Sequence, residues 1–159
     1  ILVRRLVLYK IESIEDAKAL EDCELGVSEW ITINQERINQ FANATGDDQW
    51  IHVDSSRAKN ELPDGKTIAH GYLTLSLIPA LTRNFIEVAG LSQVINFGCN
   101  KVRFYSTVNE GDKVRARGTL LQARKRGSMI QLLSKISVEV EGSKKPACVV
   151  EMLVLLVMK

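Results

Sequence analysis

The stretch Gly71–Ile86 constrains this chain more than any other feature. Tyr72, Leu73, Leu75, Leu77, Ile78, Ala80, Leu81, Phe85 and Ile86 point in almost every direction around a helical wheel, and the only charge is at Arg83. A helix that is apolar on all sides must be surrounded by other chain. The stretch predicts a buried rod of roughly 24 Å, bent where Pro79 removes a backbone donor. What surrounds it is written after Gly90, where the apolar period changes from helical to two. Leu91–Asn100, Lys101–Val108, Lys113–Lys125, Met129–Glu141 and Ala147–Val157 read as strands, joined at Asn109-Glu110-Gly111, Arg126-Gly127 and Gly142–Pro146. The alternation is clearest where Ile130, Leu132, Ile136, Val138 and Val140 interleave with Gln131, Lys135, Ser137 and Glu139. An antiparallel meander of four or five strands curled around one helix accounts for both periods, an α+β layout.

Ahead of that rod the signals are helix caps. Ser13 caps a helix over Ile14–Cys23, with Glu15 and Asp16 in the first turn where the dipole favours acids. Val27–Ile33 reads as a short strand. Asn34 caps a second helix carrying Ile38, Phe41 and Ala42, and Gly46 ends it. Asp54 caps a third, reaching about Glu61, and Pro63-Asp64-Gly65 is a turn. With no repeat and no linker, the 159 residues form one domain, with residues 1–25 as an N-terminal extension. The absent initiator Met points to a trimmed or incomplete N-terminus, so Ile1–Lys10 carries little weight.

Composition removes several function classes. Lys and Arg total 21 against 19 Asp and Glu, a net +2 that carries no nucleic-acid signature. No run approaches the ~20 apolar residues of a membrane span, and no signal-peptide pattern opens the chain. Cys23, Cys99 and Cys148 are scattered, as reduced thiols of a cytoplasmic protein would be. With only two histidines and no C-x-x-C, a structural metal is not expected.

The one dense polar cluster is Thr45–Asp54, which holds His52 with Asp47, Asp48 and Asp54. A loop can turn Asp47 and His52 toward one point, and a carboxylate and an imidazole sharing a water suffice for general acid–base chemistry near neutral pH. The spacing leaves the bland alternative open, with Asp47 as a turn cap and His52 as a satisfied buried histidine. Asp54 reads as an N-cap.

The run Phe41-Ala-Asn-Ala-Thr-Gly-Asp47-Asp-Gln-Trp-Ile-His52-Val-Asp54, followed by Ala58, resembles the signature of MaoC-like, (R)-specific enoyl-CoA hydratases. Thr67-Ile-Ala-His70-Gly71 through Ser76 is similar to the start of that family's central helix. Gly98–Phe104 and Val108–Asp112 resemble its first long strands. Gln49-Trp50-Ile51, in place of Asn-Pro-hydrophobic, resembles the nodulation protein N-like branch. The likeness runs from about Gly26 to Leu155.

The resemblance implies a hot-dog fold and the reversible hydration of trans-2-enoyl-CoA to the (3R)-3-hydroxyacyl thioester, without metal or other cofactor. It makes Asp47 and His52 the pair that activates water for C3 and handles the proton at C2. It makes the Gly71 N–H the donor to the thioester oxygen, and a helix start does offer free N–H groups and a positive dipole end. Ser76 is implied as a positioning or packing residue, Trp50 as a shaper of the acyl pocket or a packing residue, and Asn100 as a pocket-lining residue of unassigned role. His70 reads as structural, holding its turn by a backbone hydrogen bond. Arg124-Lys125-Arg126, with Arg115 and Arg117, form either a phosphate contact for coenzyme A or a solvated hairpin tip.

Two other readings share the fold. Acyl-CoA thioesterases with this architecture carry an acid on the central helix, and Gly71–Ile86 has none. A non-catalytic acyl-thioester-binding subunit is the other, against which the Asp47/His52 pair counts. A homodimer is expected, because a curled sheet leaves an open edge and Tyr105, Leu121, Leu133 and Ala147–Val157 exceed what one helix covers. The competing arrangement is a monomer whose edge is blocked by Ile14–Gly26.

Overall fold

The computed structural model describes residues 9–159. Of the Ile1–Lys10 segment only Tyr9 and Lys10 fall inside it; the rest lies outside the described residues, as does the start of the expected extension.

Strand β1 (Tyr9–Ile11) leads to helix α1 (Ile14–Ala19), which starts in a capping box. The Ser13 hydroxyl accepts from the Asp16 N–H, and the Asp16 carboxylate accepts from the Ser13 N–H. The helix stops short of Cys23 because the Asp22 N–H turns to the Leu120 carbonyl at 2.8 Å, so pairing with the sheet overrides further winding. The strand expected over Val27–Ile33 is two, β2 (Glu24–Val27) and β3 (Ile31–Thr32). The Ser28 hydroxyl accepts the Ala116 N–H in place of a backbone carbonyl, which interrupts the ladder there. Helix α2 (Gln35–Thr45) runs from its Asn34 cap to Gly46 in the left-handed region at φ 77°. Two short helices follow, α3 (Trp50–Val53) and α4 (Ser55–Glu61), the second capped by Asp54 through the Arg57 N–H at 2.8 Å.

The expected central rod is broken. It consists of α5 (Gly71–Ser76) and α6 (Ile78–Thr82), with Pro79 in the first turn of α6, where a missing N–H costs least. Ile86 belongs instead to strand β4 (Ile86–Val88), which pairs in parallel with β1. Nor is the rod buried all round: Leu73, Leu77, Ile78 and Leu81 face the core, while Tyr72 is 68% exposed and Pro79 and Ala80 are open.

Strands β5 (Leu91–Phe104), β6 (Lys113–Arg126), β7 (Met129–Val140) and β8 (Cys148–Met158) complete the antiparallel sheet, in the order β2-β6-β7-β8-β5 with β3 on β6. Only β6-β7-β8 is a meander; β5 crosses to pair with β8. The two strands expected over Leu91–Val108 are one as far as Phe104. A register shift between Asn100 and Arg103, with Lys101 at φ 50°, lets the ladder continue past the break. The predicted alternation on β7 holds, with Ile130, Leu132, Ile136, Val138 and Val140 all buried.

Phe85 brings helix and sheet together. Its ring lies over Gly26 and Gly118, where an added Cβ would stand 3.0 Å from it. At the far side of the sheet, β5 pairs on one side only among the described residues, and Val94, Ile95, Phe97 and Phe104 on it are exposed. Ile14–Gly26 packs at the opposite edge through the β2–β6 pairing, so it does not block β5. Among the described residues no helix is long and apolar enough to cross a membrane.

Gly118→Val forces a branched side chain against Phe85 and Ile136. It is expected to destabilise the fold by about 1–3 kcal/mol, read from urea unfolding midpoints. An unchanged midpoint would show that the contact is loose.

Candidate active site

Three backbone segments converge at one end of the α5–α6 rod: the loop after α2, the turn of α3, and the run 66–70 that leads into α5. The Ile68 N–H donates to the Ile51 carbonyl at 3.0 Å, fastening that run to the α3 turn. The neighbouring Ala69 N–H donates to the Val108 carbonyl at 2.7 Å, fastening it to the chain after β5. The two histidines meet across this junction. Their rings stack with centroids 3.8 Å apart, and the Phe41 ring lies 5.0 Å from that of His70.

The hydrogen bonds assign the tautomers. His52 Nδ1 lies 2.6 Å from the Ile68 carbonyl, which can only accept, so Nδ1 carries the proton and Nε2 keeps a lone pair. His70 Nε2 donates in the same way to the backbone carbonyl of Asp47 at 2.8 Å, which leaves its Nδ1 buried without a protein partner. His70 is expected to hold its own turn by a backbone hydrogen bond; the bond it makes reaches the Asp47 loop instead. Burial is the chief cause that holds His52 below the ordinary imidazole value; His70 adds to the depression, while the Ile68 bond and the Asp47 charge oppose it. The His52 ring reads as a neutral imidazole.

The Asp47 carboxylate is exposed and comes within 4.8 Å of ring nitrogens of His52 and His70. Three potential metal ligands are thus close together. One nitrogen of each ring is committed to a backbone carbonyl, which leaves one lone pair on each ring.

A cleft of about 470 Å³ opens beside the pair, lined by His52, Ile68, Gly71, Thr74, Phe104 and Tyr105 among others. Gly71 begins α5, so its N–H precedes any intrahelical partner. An added Cβ at Gly71 would stand 3.2 Å from the Phe104 ring, so a larger residue here requires that ring to shift. The structure brings Asp47 beside His52 and puts His52 and Gly71 on one cleft, and it leaves four expected residues outside the cleft lining, Asp47 itself among them. Trp50 is half-buried beneath the Arg57 guanidinium, 4.0 Å from its ring centroid. Ser76 is exposed at the end of α5, and Asn100 is exposed on β5 opposite Glu151. Of the basic candidates, Arg115 and Arg117 are paired with Glu139 at 2.7 and 2.8 Å, and Arg124 and Lys125 are exposed.

Two residues at the junction carry no motif signal. Gln35, the first residue of α2, donates through Nε2 to the His52 carbonyl at 2.7 Å and to Asn39 Oδ1 at 2.8 Å, and its Oε1 accepts from the hydroxyl of buried Thr67. Thr74 is the other, buried and lining the cleft. A polar residue at helical spacing inside an apolar run was the one available hint for Thr74.

Comparison with known proteins places this geometry in context. The MaoC like domain pattern matches residues 17–141. A 3-hydroxyacyl-thioester dehydratase Z of Mycobacterium tuberculosis is 48% identical over 144 residues, covering 90% of this chain and 95% of the relative. Nodulation protein N of Rhizobium meliloti is 43% identical over 139 residues, 85% of each chain. Among solved structures, the unliganded R-hydratase PhaJ1 of Pseudomonas aeruginosa superposes with a TM-score of 0.64 at 20% identity, covering 83% of this chain and 79% of that one. The fold is the α+β hot-dog.

The depressed His52 makes a stability prediction. In the unfolded chain the imidazole binds a proton near its ordinary value of 6.5, and in the folded chain only at lower pH. Between the two values the unfolded state holds more protons, so stability rises with pH. This contribution is complete above about pH 6.5 and is lost as pH falls through the folded value. His52→Gln removes it, so the stability gap between wild type and variant is expected to change on acidification below about pH 6.5 in urea titrations. A gap that is constant with pH would contradict a buried, neutral His52.

Proposed function

Since this chain belongs to the MaoC-like domain family of dehydratases, we propose that it is a hydro-lyase that adds water reversibly to trans-2-enoyl-CoA, giving the (3R)-3-hydroxyacyl thioester. The observation that carries the reading is the His52 imidazole, whose Nε2 the Ile68 bond leaves with its lone pair, with the Asp47 carboxylate within 4.8 Å of a ring nitrogen, at a cleft that also receives the start of α5. The relative named for a 3-hydroxyacyl-thioester substrate supports the substrate class.

In the hydration direction, Asp47 and His52 hold one water between carboxylate and imidazole. His52 Nε2 takes a proton as the water oxygen bonds to C3 of the enoyl group. The C2–C3 π pair moves onto the thioester as an enolate, whose oxygen accepts the Gly71 N–H. The proton then returns to C2, and the pair is restored. No electrons leave the substrate, so the sequence of steps calls for no redox cofactor. A neutral His52 is the form that can start it, as its depressed pKa favours near neutral pH. Cys23, Cys99 and Cys148 are free thiols, in keeping with a cytoplasmic setting.

The active form is a homodimer in this reading. The outer edge of β5, which no described residue covers, and its exposed Val94, Ile95, Phe97 and Phe104 are the groups a second copy would cover. Phe104 also lines the cleft, which puts the substrate beside that edge. Light scattering on dilute protein is expected to give twice the 17.8 kDa chain mass; a mass near 17.8 kDa in an active sample would contradict the dimer.

Asp47→Asn and His52→Gln keep size and hydrogen bonding while removing proton transfer. Each is expected to lower hydratase kcat by ~10²–10⁴-fold in a folded protein. The assay mixes protein with crotonyl-CoA and follows enoyl absorbance and free thiol together. Loss of absorbance without thiol supports hydration, thiol release indicates hydrolysis, and neither indicates a binding subunit. Near-wild-type turnover in either variant would mean the pair is wrongly assigned.

A further inference from the structure

His52 needs more than its ring bond to hold a fixed position. Its Nδ1–H reaches the Ile68 carbonyl, but Ile68 lies on one backbone segment and His52 on another, so the bond is as rigid as the link between the two. The Ile51–Ile68 backbone bond is one such link. Gln35 makes a second, from a third element. Its amide nitrogen donates to the His52 carbonyl at 2.7 Å, and its amide oxygen accepts from the Thr67 hydroxyl. Thr67 is 1% exposed and directly precedes Ile68. The bonds close a circuit: His52 carbonyl, Gln35 amide, Thr67 hydroxyl, the Ile68 carbonyl, and back to His52 through Nδ1–H.

The chemistry of the circuit selects glutamine. The His52 carbonyl requires a donor and the Thr67 hydroxyl an acceptor, and one planar amide supplies both at a fixed separation. The second amide hydrogen goes to Asn39 Oδ1, one turn along α2, which pins the rotamer. Glutamate would fail at the His52 carbonyl, asparagine is one methylene short, and methionine makes neither bond.

We infer that Gln35 is a positioning residue of the active site: by clamping the His52 backbone to Thr67 it holds the imidazole in the Nδ1–H tautomer with Nε2 free for water. It touches no reacting atom. The inference rests on the hydratase reading for its effect on rate, but not for its effect on the tautomer. A histidine side chain free in water prefers the proton on Nε2, so the Nδ1–H form of His52 must be imposed by its surroundings, and it is a readout that general stability does not move.

The test uses full-length protein, with crotonyl-CoA for kinetics and ¹⁵N-histidine NMR without substrate. Wild-type His52 is expected as the Nδ1–H tautomer. Gln35→Met should populate the Nε2–H form and lower kcat ~10–100-fold with KM within about twofold, as loss of orientation and not of binding would do. Gln35→Glu, which keeps the Thr67 acceptor and loses the donor, should behave similarly. Should Gln35→Met not fold, Thr67→Val opens the same circuit from its far side and is read the same way. Variants with wild-type tautomer and wild-type kcat would overturn the clamp while leaving the hydratase reading intact. A wild type inert toward crotonyl-CoA would sink the hydratase reading instead, and the tautomer comparison alone would then decide the clamp.

Discussion

The peptide of Ile68 is the joint on which the rest of the site depends. Its N–H is bonded to Ile51 and its carbonyl to His52 Nδ1, so one residue fastens both backbone and ring of the α3 turn to the segment that becomes α5. Everything downstream follows from that joint. The His52 ring is fixed, its tautomer is set, and the start of α5 is carried to the same cleft. His70, two residues further on, then stacks on His52 and holds the Asp47 loop through its carbonyl. None of these bonds involves an exposed ion pair, which would contribute little. They are short bonds in partly buried surroundings, where a broken one leaves a group unsatisfied.

The helix–sheet packing serves the joint from a distance. Phe85 over Gly26 and Gly118 anchors the end of the rod away from the active site, and Leu73, Leu77, Ile78 and Leu81 bury its inner face. Pro79 interrupts the rod without unfolding it because a new helix can begin at Ile78, where the missing N–H falls in a first turn. The bend lies beyond the cleft-lining turn of α5, so Gly71 and Thr74 belong to an unbroken helical segment.

Much of this was legible in the sequence where the signal is local. Ser13, Asn34 and Asp54 cap the helices they were expected to cap, Gly46 adopts the left-handed turn, and the alternation on β7 buries the residues it marked. Local signals failed where a distant partner decides. The Asp22 bond to Leu120 shortens α1, the Ser28 bond to Ala116 splits the first strand, and the bulge near Lys101 keeps β5 continuous. The apolar wheel of Gly71–Ile86 overstated burial, since Tyr72 and Ala80 are open in the single chain. At the site, spacing alone left Asp47 and His52 open to a bland reading, and the resemblance singled them out. The stacking of His52 on His70 and the amide bridge of Gln35 had no local signal at all, because the Gln35–Thr67 pair is 32 residues apart and a carbonyl partner such as Ile68 has no side-chain signature.

In the proposed chemistry, Asp47 and His52 move water across a carbon–carbon double bond and leave the thioester intact. Proton NMR of the product formed from crotonyl-CoA in D₂O tests it directly. The predicted product is (3R)-3-hydroxybutyryl-CoA carrying a single deuterium at C2, with the thioester unbroken. Crotonate with free coenzyme A, or crotonyl-CoA recovered unchanged from folded protein, would contradict it.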